Sequence, residues 1–351
     1  MAIRLAGDFD ISYAHDMAII RNRGQWVMTI AFIVTLFALP FFLDAHTLGI
    51  LNLIGISIIA VHGLNILLGY TGQISLGQAA FMAVGAYTAA ALVKAGVSFW
   101  LALPMAGLVA GLVGILFGLP SLRIKGFYLA METLAAQMII PWFFRNVRTD
   151  IFGGMPGLTM QPPRLGEIIF NSQATMYFPI MLTVVVCTIA AKNIARTRLG
   201  RALLAIRDND LAAEVLGIEQ FSHKLRAFFL SAFYAGLAGA LWAMYARSIN
   251  PEQFSLLSSV WYLGMVIVGG MGSALGPILG TIFLRGLEEI TTQLAPVLSK
   301  MFPQLEAGLL AALGPMAFGV ALMLFLVFEP RGLSHRWEIL KAAWRLRPFA
   351  H

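Results

Sequence analysis

The chain has 351 residues, 59% of them hydrophobic and 12% charged, with a formal net charge of +7 and a mean hydropathy of +0.81. A soluble domain is about 45–50% apolar and about 25% charged, so this composition excludes an ordinary soluble protein and specifies a polytopic membrane one. The basic residues gather in loops between apolar runs, which removes nucleic-acid binding as the reason for the charge; the single cysteine, Cys187, leaves no disulfide framework and no cysteine metal site.

Residues 1–25 mix Arg4, Arg21 and Arg23 with Asp8, Asp10 and Asp16 and are expected to form a cytoplasmic N-terminal segment. The apolar run at 26–43 is long for a signal sequence and has no small-residue cleavage site, so it is expected to remain as the first span. A second span is expected over 48–68. It is followed by G-Y-T-G-Q-I-S-L-G at 69–77, a polar break placed between apolar segments. In lipid, irregular backbone must be buried in protein or line a cavity. The break therefore reads either as part of a transport path, with Tyr70, Gln73, Ser75 and Gln78 as candidates, or as a tight turn between two ordinary spans.

The third span, 78–93, repeats small residues at Ala79/Ala83 and Ala86/Ala90, and the fourth, 99–119, does so at Gly107/Gly111 and Gly114/Gly118. This spacing lets helix backbones approach closely. After a short basic loop at 123–125, a fifth span at 126–144 carries Glu132. A carboxylate near mid-span costs a few kcal/mol unless paired. It could meet a substrate amino group, pair with a partner subunit, or sit protonated and hydrogen-bonded.

Residues 145–173, with Gly153, Gly154, Pro156, Gly157, Pro162 and Pro163, look too broken for a helix. A sixth span at 174–191 leads into 192–226, the longest charged stretch in the chain. There Asp208 is the expected N-cap, Asp210 suits the first turn, and Gly217 is the expected stop of a short helix. Leu211/Val215 and Ala212/Leu216 form apolar pairs four apart, which the protein's own core, lipid headgroups or a partner could cover.

A seventh span at 225–246 ends before the turn at Asn250–Pro251. Spans at 256–268, 277–291 and 309–328 complete ten, with a second glycine-rich break at 269–276 between the first two of these. Arg285 stands three and four residues before Glu288 and Glu289, which permits local pairing. In the tail, 331–351, Leu333, Trp337, Leu340 and Trp344 recur at helical spacing among Arg336, Lys341 and Arg345. That pattern describes a helix on an anionic membrane surface or a plain anchor. With ten spans, the positive-inside rule puts both termini and the 192–226 loop in the cytoplasm. Residues 26–330 then form the transmembrane domain.

The chain carries no G-x-x-x-x-G-K-[ST] loop, H-E-x-x-H or G-x-S-x-G motif, and its six histidines lack metal-ligand spacing. The expectation is a protein that is not an enzyme and holds no metal or cofactor of its own.

Seven motifs, in order, carry a resemblance. They are G-Y-T-G-Q-I-S-L-G-Q-A-A-F (69–81), L-R-I-K-G-F-Y-L-A-M-E-T-L-A (122–135), F-G-G-M-P-G-L (152–158), T-R-L-G-R-A-L-L-A-I-R-D-N-D-L-A-A-E-V-L-G-I (197–218), I-N-P-E-Q-F (249–254), G-G-M-G-S-A-L-G-P-I-L-G-T (269–281) and E-P-R-G-L (329–333). From about residue 48 onward the chain resembles the LivM family of ABC-importer permeases, typified by branched-chain amino-acid transporters. Glu132 departs from the pattern, where a small or apolar residue is expected.

The resemblance implies an all-α, polytopic helical bundle in a bacterial inner membrane that translocates branched-chain amino acids or a related small polar solute such as urea or a short amide. It implies that Arg207, Asp208, Asn209, Asp210, Leu211, Glu214, Val215 and Gly217 belong to a coupling helix that docks on a cytoplasmic ATPase. It further implies two ATP-binding subunits carrying ATP and Mg, a second, LivH-like permease, and a periplasmic binding protein. Two other readings compete with it: an ion-coupled secondary transporter using Glu132, and a membrane scaffold that moves nothing.

Overall fold

The computed structural model describes residues 23–121, 127–147, 149–165, 168–301 and 306–345. The expected N-terminal segment up to residue 22, the basic loop at 123–125 and the tail beyond 345 lie outside them. The described chain is almost entirely helical: α1 (Arg23–Ala38), α2 (Ala45–Thr71), α3 (Gln78–Lys94), α4 (Phe99–Ser121), α5 (Phe127–Asn146), α6 (Thr149–Phe152) and α7 (Gln173–Arg196). Then follow α8 (Arg198–Asp208), α9 (Asp210–Val215), α10 (Gln220–Ala246), α11 (Leu256–Gly269), α12 (Gly276–Met301), α13 (Glu306–Phe328) and α14 (Leu333–Arg345).

Every expected apolar segment falls on a helix, but among the described residues length and composition alone do not establish the expected ten spans. Among the described residues four helices, α2, α4, α7 and α10, are long and apolar enough to cross a membrane alone. A fifth crossing arises if α13 and α14, bent by 48° at their junction, count as one. Others are shorter, with 17 residues in α3 and 14 in α11.

Two expectations are corrected. The expected seventh span, α10, starts at Gln220 rather than 225. Residues 145–173 are not without a helix: α5 runs on to Asn146 and α6 occupies Thr149–Phe152. The same region supplies short antiparallel pairings, Leu158 with Ile249 and Arg164 with Ile169. Backbone amides removed from water need partners, and a chain too rich in Gly and Pro for a long helix finds them in two-residue ladders.

Helix α10 is the hub, and its packing follows from lipid being the solvent. Lipid tails are as apolar as leucine, so helices associate through close van der Waals fit, not hydrophobic drive. Ala235, Gly236, Ala238, Gly239 and Ala240 of α10 are buried. A Cβ on Gly239 would run into the Met82 carbonyl of α3, and one on Gly236 would lie 2.7 Å from the Ala106 carbonyl of α4. On α4, each of the GxxxG glycines meets α10: Gly107 at Phe233, Gly111 at Phe229, Gly114 at Ala232 and Gly118 at Phe228. Ala102, Ala106 and Ala110 face inward, while Leu101, Leu108, Leu112 and Leu116 are exposed on the outer face. Small residues line the face of α4 that packs on α10, and leucines line its exposed face.

Candidate functional site

The break after α2 is shorter than its sequence suggests, and it doubles back. Gly69, Tyr70 and Thr71 are still helical, and the helix stops at Gly72, whose φ of +71° is the left-handed conformation glycine adopts without strain. Residues 73–77 are irregular. The chain then reaches Gln78, whose Nε2 donates to the Ala60 carbonyl at 2.7 Å. Ala60 lies eleven residues before the end of α2, roughly 16 Å back at 1.5 Å per residue. The segment therefore re-enters the protein beside α2, and α3 begins level with the middle of that helix.

A helix that starts at this depth exposes amide N–H groups that water cannot reach. Three side chains from two other helices take them. The Leu76 amide donates to Thr133 Oγ1 of α5 at 3.0 Å, the Ala79 amide to Ser259 Oγ of α11 at 2.9 Å, and the Ala80 amide to Gln137 Oε1 of α5 at 3.0 Å. Gln137 also accepts from Ser259 Oγ at 2.8 Å and donates to the Phe254 carbonyl at 2.7 Å. Gln78, Thr133, Gln137 and Ser259 are each 2% exposed or less.

Tyr70, Gln73, Ser75 and Gln78 are thus all buried within this knot. Gln73 accepts from Thr71 Oγ1, Ser75 Oγ accepts from the Gly77 amide, and Gln78 Oε1 accepts from Ser231. Glu132 is half-buried on α5 next to Thr133. The sequence reading missed Thr133, Gln137 and Ser259. Their signal was present as polar side chains in otherwise apolar helices, two of them four residues apart on α5.

The second glycine-rich break, between α11 and α12, meets the end of α2. Asn65 donates from Nδ2 to the Ser273 carbonyl at 3.0 Å and accepts the Gly272 amide on Oδ1 at 2.8 Å. Arg207, the penultimate residue of α8, donates from Nη1 to the Gly69 carbonyl at 2.6 Å and packs on Gly272. One guanidinium therefore joins the charged loop to both breaks.

The short helix of that loop is α9, and its cap is not Asp208. Asp208 closes α8, and the extended residue Asn209 (φ −159°, ψ 108°) accepts the Ala212 amide on its side chain at 3.0 Å. Helical dihedrals at Asp208 deny it the extended geometry that an N-cap requires. Asp210 opens the first turn, and Gly217 lies just past the end with φ +80°. Glu214 accepts from Gln220 Nε2 at 3.1 Å. Ala213 is buried against the protein, whereas Leu211, Val215 and Leu216 are exposed, Val215 by 87%. Of the three possible covers for this face, the chain's own core is the one the structure removes.

A cavity of about 210 Å³ opens beside the first turn of α3, bounded by Ala79, α11, the Pro251–Gln253 turn and α12. Arg285 and Glu288 line it and pair at 2.7 Å; Glu289 instead lies 3.6 Å from His46.

Comparison with known proteins adds the family. The model described as branched-chain amino acid transport system / permease component matches residues 46–328. The high-affinity branched-chain amino acid transport system permease protein LivM of Escherichia coli is 35% identical over 285 residues, covering 74% of this chain and 67% of that protein. A probable branched-chain amino acid transport permease protein LivM of Methanocaldococcus jannaschii is 24% identical, with 66% and 67% covered. The autoinducer 2 import system permease protein LsrC of E. coli is 25% identical, with 77% and 80% covered. No solved structure matches. Nothing in these likenesses favours ion coupling through Glu132.

Proposed function

Starting from the fact that this chain belongs to the branched-chain amino acid transport system permease family, we propose that it is a membrane-spanning subunit of an ATP-driven importer of branched-chain amino acids. The match across residues 46–328 is the observation that carries this reading. The protein is a multi-pass membrane protein of the permease type, and its fold offers the two features such a subunit needs. One is a re-entrant, internally capped segment that interrupts the bundle. The other is an exposed apolar helix face for a motor to hold.

In this reading α9 is the coupling helix. Leu211, Val215 and Leu216 insert into a groove on an ATP-binding subunit, with Arg207, Asp208, Asn209, Asp210, Glu214 and Gly217 framing the contact. A pore without its own motor responds only to a partner that binds one conformation better than another. Arg207 supplies a short route for that preference, because it touches the ends of both glycine-rich breaks. ATP and Mg belong to the partner subunits. A LivH-like permease completes the bundle, and a periplasmic binding protein delivers the solute. The location is the bacterial inner membrane, with both termini in the cytoplasm. Tyr70, Gln73, Ser75 and Gln78 hold the re-entrant wall of the path, and Glu132 stands on the helix that caps it.

The test is uptake into proteoliposomes holding this chain with its co-purified subunits. Accumulation of labelled leucine, isoleucine or valine that requires internal ATP and the binding protein is the expected result. Uptake that persists without ATP on a proton gradient would overturn the reading.

A further inference from the structure

The geometry points to the cavity beside α3 as a docking site for one zwitterionic α-amino acid, its carboxylate on Arg285 and its ammonium on Glu288. This inference rests on the transport reading above and goes beyond it by naming the residues and the chemical groups they recognise.

Arg285 Nη1 and Glu288 Oε2 are 2.7 Å apart on neighbouring turns of α12. The arginine is also held from behind. Its Nε and Nη2 donate to Ser57 Oγ at 3.1 and 2.9 Å, and Ser57 is 1% exposed midway along α2. The head of the arginine is thereby fixed while the pair stays open: the Arg285 side chain is 20% exposed and that of Glu288 41%. A pair that merely neutralised two charges inside the bundle would be sealed and fully hydrogen-bonded, because desolvation penalises any charge left unmatched. This one opens on a cavity. Intramembrane charges that face cavities mark substrate paths.

The shape of the pair matches its proposed guest. An α-amino acid carries one anionic and one cationic group on adjacent atoms, so it can lie head-to-tail against a cation and an anion in contact. The guanidinium has five donors in a planar fork suited to a carboxylate, and Ser57 and Glu288 take up part of them. Met82, Leu257 and Trp261 supply apolar wall in the same cavity, where an aliphatic side chain would rest. At about 210 Å³ the space is below the roughly 300–1,000 Å³ of drug-sized sites, so it fits one small solute. The start of α3 borders the cavity but is not the recognition group. Its Ala79 and Ala80 amides are already taken by Ser259 and Gln137, which leaves the carboxylate to Arg285.

The test uses the complete importer in proteoliposomes, with labelled leucine as probe, reading leucine moved per ATP hydrolysed. Glu288→Gln keeps the Ser57 contacts of Arg285, and the exchange Arg285→Glu with Glu288→Arg keeps an ion pair but reverses it. Both variants are expected to assemble, judged by size-exclusion chromatography, and to lose about tenfold or more in leucine per ATP. Wild-type transport by the exchanged pair would overturn the assignment and make the pair structural. If the wild-type importer carries another zwitterionic amino acid and the variants lose it equally, the branched-chain reading fails and this site stands. If it carries only solutes without that charge pair, this site falls.

Discussion

Removing Gln137 is the sharpest probe of the re-entrant segment. Gln137→Leu nearly preserves volume but deletes three hydrogen bonds at once: from the Ala80 amide, from Ser259 Oγ, and to the Phe254 carbonyl. The side chain is 2% exposed, so water cannot replace them. A buried group left without its partner costs about 1–3 kcal/mol. With three groups affected and some relaxation, the expected destabilisation is roughly 3 kcal/mol or more, a large share of the about 5–15 kcal/mol that holds a typical domain. Thr133→Val exposes one such amide, that of Leu76, and should cost about a third as much. The assay is denaturant titration of the purified complex in mild detergent, followed by ATP-driven uptake of the same preparations. Gln137→Leu should lose both stability and transport, with Thr133→Val between it and wild type. If Gln137→Leu unfolds within about 0.5 kcal/mol of wild type, the range of neutral surface changes, the capping argument is wrong.

Other substitutions separate the remaining claims. Gly239→Ala pushes a Cβ into the Met82 carbonyl and should lower the yield of folded complex, overpacking costing about 1–3 kcal/mol; Gly286→Ala, with open space around it, should behave as wild type. Asn209→Ala removes the cap of α9, worth about 1 kcal/mol, and combined with Leu211→Ser should uncouple ATP hydrolysis from uptake while membrane insertion stays intact. Asp208→Ala combined with the same Leu211→Ser change should uncouple less than the Asn209→Ala pair, because Asp208 closes α8 and Asn209 is the cap of α9; the opposite ranking would restore Asp208 as the cap. Glu132→Gln should alter the uptake profile across several solutes, and an unchanged profile would give Glu132 a structural role alone.

Much of the architecture is one-dimensional information. Hydropathy marks the apolar runs because lipid selects segment by segment, so all of them reappear as helices. Spacing marks the glycines of α4 because a helix face is a local property, and each of those glycines meets α10. The glycine-rich breaks stand out for the same reason, since irregular backbone next to apolar runs is visible in the string itself. Local capping was readable to within one residue: the stop near Gly217 was legible, whereas Asp208 and Asn209 are both good cap residues, and only backbone dihedrals choose between them.

Three-dimensional packing decided what the breaks do. Nothing local says that residues 73–77 turn back alongside α2, because the residues that make this possible are far away in sequence. Ser259 caps Ala79 from 180 residues away, and Gln137 caps Ala80 from 57 away. The same holds for Arg285. Its pairing with Glu288 follows from helix spacing, but its tether to Ser57, 228 residues distant, and the cavity before it arise from four elements meeting. A sequence states which backbone must be rescued from lipid; the fold decides which side chains rescue it, and the space between them becomes the site.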